Sequence, residues 1–387
     1  MVNVAMIGVG AISGIYLENL TQRFKGVRLI GVCDLIRERA EKAIEKYPQI
    51  PKLYETMHDA FADPEVDVVL NLTRPYEHYE VSRAALLAGK HVYHEKPLAA
   101  DWEEGVALVK LAQEKGLLLG GAPDTYLGAG IQTCRKLIDD GMIGDVIGAA
   151  AFMICHGHET WHPDPDFYYK RGGGPMMDMG PYYLTAMLNL MGEVKGVTGV
   201  TKKSFTQRTI TSQPHYGEIV DVEIDTYVTG TLHFASGAIG TLFTTFDVHY
   251  APQNQARFEV YGTKGTLLVP DPNTFGGPVR LFRPEDQLPF KAVDPGSLGP
   301  TGAMIGYKEI PLLFDYKENC RGLGLADMCR ALETGRAFRS AYQQTAHVLE
   351  ILTAFEKSSR QGAYWPLETR YERAEPMQNN PMHGLLD

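Results

Sequence analysis

A short apolar run, residues 2–7, stops at Gly8-Val9-Gly10-Ala11-Ile12-Ser13, and a helical segment follows to about residue 24. A second apolar run, residues 27–33, ends in Asp34. That order constrains the fold more than any other feature of the chain: it is a βαβ unit built to hold a dinucleotide. Gly8 permits the tight turn out of the first strand, and Gly10 lets the backbone approach a pyrophosphate. The helix N-terminus then faces the phosphates, and Asp34 accepts hydrogen bonds from the adenosine ribose. Ser13 stands where a third glycine or alanine is usual and is small enough for helix–strand packing. A carboxylate at 34 repels a 2′-phosphate, which favours NAD. Arg37 and Arg39 leave NADP as the alternative, unless they are solvated helix charges.

The alternation continues. Helices are expected at about 36–47, 56–63, 76–88 and 101–115, and strands at 66–72, 90–93 and 117–121. Strands alternating with helices of this length form a parallel sheet. Thr73 and His78, just past the fourth strand, are candidates to touch the cofactor, or else a capping threonine and a surface histidine. After Ala122-Pro123 the pattern changes to long strands at about 145–156, 194–205, 226–234, 238–246 and 257–269. The expected fold class is therefore α/β: a Rossmann dinucleotide-binding domain over residues 1–122, then an α+β domain over 123–387 with a large, open, mostly antiparallel sheet. Residues 271–316 read as a long excursion, and helices return at about 324–333 and 342–357.

Composition narrows the partners. A formal net charge of −10 argues against nucleic acid or an anionic membrane surface. There is no run of about 18 apolar residues, and the first residues carry no pattern of a secretory signal. Five cysteines without a Cys-x-x-Cys pair read as thiols of a cytoplasmic protein.

The chemistry is expected at two segments. In His94-Glu95-Lys96-Pro97-Leu98 a strand ends at a lysine held extended before proline, at the edge of the sheet where ligands bind. In Arg171-Gly172-Gly173-Gly174-Pro175-Met176-Met177-Asp178-Met179-Gly180-Pro181-Tyr182-Tyr183 a glycine-rich loop feeds a helix. Pro181 suits a first helical turn, so Asp178 is expected near the N-cap, with Tyr182 four residues on and on the same face. Oxidising a secondary alcohol needs a hydride acceptor and a base. A phenol with reference pKa of about 10 is a weak base at neutral pH, and a nearby ammonium stabilises the phenolate. Lys96, Asp178 and Tyr182 are thus the candidate catalytic residues, with Tyr183 a neighbouring alternative. Gly8, Gly10, Ala11, Ile12, Asp34, Thr73, His78, Glu95 and Lys96 are the candidate cofactor residues.

These paired motifs resemble the Gfo/Idh/MocA family of oxidoreductases over residues 2 to about 360. The resemblance implies a Rossmann domain followed by an α/β domain whose open sheet forms an oligomer interface, giving a homodimer or homotetramer. It also implies NAD(P)-dependent oxidation or reduction of sugars and polyols. Many members carry histidine where this chain has Tyr182; that version is similar to glucose–fructose oxidoreductase and dihydrodiol dehydrogenase, where tyrosine is taken as the acid/base group. Alternatives on the same fold are an NAD-assisted glycoside hydrolase and a non-catalytic sensor.

Residues 155–166, Cys-His-Gly-His-Glu-Thr-Trp-His-Pro-Asp-Pro-Asp, hold three histidines, but their spacing matches no metal site, and no metal is expected. The loop is expected to cross a sugar-binding cleft, with Trp161 stacking on a pyranose face and His162 bonding hydroxyls. Tyr126 and Arg171 are further substrate candidates, with Tyr168, Asp247 and His249 weaker ones.

Overall fold

The computed structural model describes residues 1–249, 257–286, 306–380 and 382–387; part of the expected excursion, residues 287–305, lies outside them. The first sheet contains β1 (Val2–Ile7), β2 (Val27–Cys33), β3 (Lys52–Leu53), β4 (Val68–Asn71), β5 (His91–His94) and β6 (Leu119–Gly121). All its strand pairs are parallel, in the order β3-β2-β1-β4-β5-β6. Five helices connect the strands: α1 (Ser13–Gln22), α2 (Arg37–Lys46), α3 (Met57–Ala62), α4 (His78–Leu87) and α5 (Trp102–Lys115). Strand order reverses between β1 and β4, so a crevice opens beyond their C-terminal ends, beside Gly8 and Thr73. Local chemistry sets the helix ends. Thr56 and Asp59 form a capping box on α3, Asp101 caps α5, and Gly116 closes α5 in the left-handed conformation.

The rest of the chain carries α6 (Ala129–Asp139), β7 (Val146–Ile154), α7 (Gly174–Met191), β8 (Val194–Lys202), β9 (Gln207–Thr209), β10 (Ile219–Asp221), β11 (Tyr227–Phe234) and β12 (Ile239–Thr245). It continues through β13 (Arg257–Gly262), β14 (Thr266–Val269), β15 (Val279–Phe282), β16 (Lys308–Ile310), α8 (Leu323–Thr334), α9 (Tyr342–Gln361) and β17 (Trp365–Pro366). Nine of these strands form a second sheet, β16-β15-β14-β13-β7-β12-β11-β8-β17. It is antiparallel except between β7 and β12. Helices α6, α7 and α9 pack on one face, while Ile147, Val200 and Ile239 lie exposed. The single strand expected at 257–269 is a hairpin, because Gly262 N–H bonds the Gly265 carbonyl and closes a turn between β13 and β14.

Position 122 separates the two sheets but not the packing. Helix α8 returns to the first sheet: Gly322 at its N-cap faces Tyr16, Leu20 and Phe24, and the Met1 amino group pairs with Glu333 at 2.6 Å. Asn19 of α1 bonds the carbonyls of Asn319 and Arg321. Lys25 N–H bonds the Gly384 carbonyl.

Candidate active site

Gly8 leaves β1 with φ of +96°, and a Cβ there would stand 2.8 Å from the Leu72 carbonyl. Only glycine fits between β1 and β4. A Cβ on Gly10 would meet nothing within 4 Å, so space remains beside the α1 N-terminus. Asp34 accepts from Val9 N at 2.6 Å and from Ile36 N at 2.8 Å; it therefore holds the glycine loop as well as facing the groove. Leu35 is 95% exposed, and Ile12, Ile36 and Tyr76 are also exposed, leaving apolar surface along the same edge. A dinucleotide fits this cradle: room for phosphates at Gly10, a carboxylate at the end of β2, and uncovered apolar side chains for a planar base. Arg37 is engaged by Glu41 and Glu55. Among the described residues no group of three or more His, Cys, Asp and Glu side chains is arranged to hold a metal.

Lys96 lies two residues beyond β5. Its Nζ donates to Asp178 Oδ1 at 2.6 Å and to the Asp178 carbonyl at 2.7 Å. The two side chains are 15% and 14% exposed. Burial alone would push the ammonium down, but the facing carboxylate reverses this and holds Lys96 above its ordinary value. Burial would likewise raise Asp178; the Lys96 charge and the His158 hydrogen bond outweigh it and hold the carboxylate well below its usual range.

Helix α7 begins at Gly174 with Gly173 as its N-cap, about five residues earlier than expected. Pro175 occupies its first turn and Pro181 lies inside it, so Asp178 is not an N-cap. Pro181 offers no N–H to the Met177 carbonyl. The helix continues because residues 180–191 are all buried, and that packing outweighs the loss of one hydrogen bond. Tyr182 stays four residues from Asp178. Lys96 Nζ stands 5.3 Å from its ring centroid, over the face of the phenol. Burial raises the Tyr182 hydroxyl, with Lys96 opposing, Glu95 adding to the rise, and the Arg321 charge opposing again. The expected net lowering by Lys96 is thus not what this environment produces: desolvation wins. Tyr183 is buried with its ring near Phe258.

Glu95 is buried and accepts from Tyr16 of α1 at 2.6 Å and from Lys96 N at 3.0 Å. It ties the helix at the phosphate end to the lysine turn. His78 is fully buried between the Pro97 and Thr73 carbonyls, at 2.7 and 3.0 Å, and burial lowers its pKa. The neutral ring has one N–H, so it donates to one of these carbonyls while packed against both, away from the crevice surface. Thr73 Oγ1 donates to Asn71 at 2.6 Å and remains half-buried at the crevice.

The histidine-rich loop is held from below by Arg208 of β9, which bonds Glu159, Asp247 and the carbonyls of His156 and Phe246. Glu159 also accepts from Tyr169. Asp247 takes a further bond from Thr226, so Asp247 is structural support. His249 stacks near His156 at 4.3 Å. Trp161 is 62% exposed and His162 lies beside it, with centroids 5.3 Å apart. His162 Nδ1 accepts from Asp164 N, and Tyr168 packs on both His158 and His162. Two substrate candidates lie elsewhere. Tyr126 is 1% exposed, in the core, with its hydroxyl on Ser340. Arg171 pairs with Asp101 and with Glu104 on the outside of α5.

His158 and Arg321 were not anticipated as site residues. His158 Nε2 lies 3.0 Å from Asp178 Oδ2, and the only sequence signal was its place four residues past a strand end. Arg321 bonds Asn319 and Asn273 at 2.8 Å each, and its charge acts on the Tyr182 phenol. A lone arginine so far along the chain carries no local signal.

Residues 2–121 match the pattern described as oxidoreductase family, NAD-binding Rossmann fold, and residues 131–268 match the GFO/IDH/MocA C-terminal domain. The chain is similar to an inositol 2-dehydrogenase/D-chiro-inositol 3-dehydrogenase of Lactiplantibacillus plantarum, 35% identical over 143 residues, which is 36% of this chain and 41% of that protein. It is also similar to a levoglucosan dehydrogenase of Pseudarthrobacter phenanthrenivorans, 26% identical over 222 residues, 53% of this chain and 56% of that protein. The matches thus span about half the length of these relatives. A solved levoglucosan dehydrogenase in complex with NADH and L-sorbose shares the fold: TM-score 0.78, 21% identity, covering 95% of this chain and 99% of that one.

Proposed function

Because the chain belongs to the GFO/IDH/MocA family of oxidoreductases, we propose that it is an NAD-dependent dehydrogenase acting on a secondary hydroxyl of a sugar, glycoside or polyol. The observation that carries this reading is the Lys96–Asp178 pair at the C-terminal edge of the Rossmann sheet, beside Tyr182. The nicotinamide supplies the hydride acceptor. Two Lys96 N–H bonds go to Asp178; an ammonium has three, and the third serves the substrate oxygen as charge develops on it. Tyr182 takes the hydroxyl proton. Burial raises that phenol, and Lys96 and Arg321 work against the rise, so turnover in the oxidative direction increases toward alkaline pH.

The commitment of Arg37 to two glutamates, with Asp34 at the end of β2, supports NAD over NADP. The relatives named as inositol and levoglucosan dehydrogenases support the substrate class. We place the protein in the cytoplasm; among the described residues no helix is long and apolar enough to cross a membrane. The exposed Ile147, Val200 and Ile239 support assembly as a homodimer or homotetramer through the open sheet face. The test is NADH formation from NAD with a panel of cyclitols, aldoses and anhydrosugars, with Lys96→Met as the blank. Substrate-dependent absorbance absent from the blank supports the reading. Release of free sugar from glycosides without net NADH overturns it in favour of redox-assisted hydrolysis.

A further inference from the structure

Helix α1 begins at Ser13, so Tyr16 stands in its first turn. Its ring is fully buried, and a Cβ on Gly322 would lie 3.5 Å from its Cδ1, so the N-cap of α8 walls it in. A phenylalanine would fill that space equally well; the chain buries a hydroxyl in addition. That hydroxyl donates to Glu95 Oε1 at 2.6 Å, and the other carboxylate oxygen, Oε2, takes Lys96 N–H at 3.0 Å. Glu95 is also buried, and a buried carboxylate persists only where donors meet its oxygens. Here one donor comes from α1 and the other is the backbone of the lysine. Held at both oxygens, the carboxylate cannot turn. Held at one, it swings toward another donor and releases the Lys96 N–H. The anchor itself is firm: Asn19, three residues on along the same face of α1, bonds the carbonyls of Asn319 and Arg321. From Lys96 the ammonium crosses to Asp178 Oδ1 at 2.6 Å. The lysine is thus fixed at its backbone through α1 and at its Nζ by α7.

We propose that Tyr16 is a positioning residue for the reaction: through Glu95 it fixes the turn that carries Lys96, so that the ammonium meets Asp178 and the reacting oxygen together. The assignment rests on the dehydrogenase reading for what Lys96 does at that oxygen. Buried behind the lysine turn, Tyr16 touches neither cofactor nor substrate and acts through Glu95 alone. Its loss therefore loosens one turn and slows the chemical step, while the binding of both ligands stays intact. A residue that merely packs the core would instead weaken the whole fold and act the same whether or not Lys96 is present.

The test compares wild type, Tyr16→Phe, Lys96→Met and the double variant, with urea midpoints reporting that each is folded. Tyr16→Phe keeps the ring and removes only the hydroxyl. Its kcat for NADH formation should fall about tenfold, while KM and NADH affinity stay within about twofold. On Lys96→Met the same change should alter the residual turnover by no more than about twofold, because the residue it positions is gone. Amide hydrogen exchange at Lys96 needs no turnover: in Tyr16→Phe that N–H should exchange about tenfold or more faster, while the amides of α5 keep their wild-type rates. Wild-type turnover in Tyr16→Phe, unchanged exchange at Lys96, an acceleration shared by α5, or a loss that recurs in full on Lys96→Met each overturns the assignment. Faster exchange confined to the lysine turn, in a protein whose wild type forms no NADH from any polyol or sugar, upholds the positioning of Lys96 and instead sinks the dehydrogenase reading.

Discussion

Removing the Lys96 cation should expose how much of the site is held by one buried charge pair. In Lys96→Met the Asp178 carboxylate loses its 2.6 Å contact at Oδ1 and keeps only His158, and the Asp178 backbone carbonyl loses a 2.7 Å bond. Breaking one partner of a fully buried pair costs about 3–5 kcal/mol. The partial exposure of both side chains and the surviving imidazole bond lower this to about 2–3 kcal/mol. Asp178→Asn in that background removes the stranded charge and should restore about half of the loss. The signs follow from linkage. In the wild type Asp178 is depressed, so its contribution is present above the unfolded carboxylate range and is lost as pH falls through its folded value. In Lys96→Met burial is left with only the His158 bond against it and raises the folded value, so the variant's deficit shrinks as pH falls toward about 4. Urea unfolding of the four members of the cycle at neutral and acid pH measures the coupling. Purely additive losses, or a double variant less stable than Lys96→Met, refute the reasoning. Turnover should fall by about a hundredfold or more in Lys96→Met.

Three other perturbations test separate parts of the molecule. Asp34→Ala removes a ribose acceptor and also releases Val9 and Ile36 N–H. NADH affinity should drop about tenfold or more and the margin over NADPH should narrow; equilibrium titration with both cofactors reads it, and an unchanged ratio places Asp34 outside the ribose site. Arg74 and Asp164 pair at 2.6 Å across the cleft, each about half exposed. Arg74→Asp should speed NADH release up to about fivefold at low salt, an effect that Asp164→Arg in the same chain reverses and that high salt erases; stopped-flow release insensitive to both changes counts against a cleft-spanning clasp. Burial holds His94 and His347 neutral, lowered to about 3 and about 4, whereas an unfolded imidazole titrates near 6.5. The unfolded chain therefore binds more protons below that value, and each imidazole costs about 2 kcal/mol between about pH 7.5 and 5. Asp124, pushed up to about 6 by burial, returns about 1 kcal/mol over the same window, so these three groups together should lower urea stability by about 3 kcal/mol, and buried His78, also lowered, adds to the fall. A protein more stable at the acid end contradicts the assignment.

What a local pattern determines was legible before any coordinates. Gly8 is forced by a turn between two strands, and the helices expected at 56–63 and 101–115 stand where Thr56 and Asp101 turn out to cap them. Tyr182 and Asp178 share a face because four residues make about one turn. What failed were inferences that treated a local rule as sufficient where tertiary packing decides. Pro181 reads as a first-turn residue only if the helix must satisfy its own backbone; enclosed by core over residues 180–191, the helix carries the defect, and Asp178 moves from a cap into the cleft. The same reasoning explains His78 and Tyr126, whose polar atoms suggested ligands but are buried against the Pro97 and Thr73 carbonyls and against Ser340. It also explains His158 and Arg321, which meet Asp178 and Tyr182 only because β7, α7 and the return of the chain at α8 converge. A residue's chemistry is visible in the sequence, but whether that chemistry is spent on the protein or left for a ligand depends on partners many residues away. In this cleft Lys96 keeps one N–H that Asp178 does not take, and it stands over the Tyr182 ring.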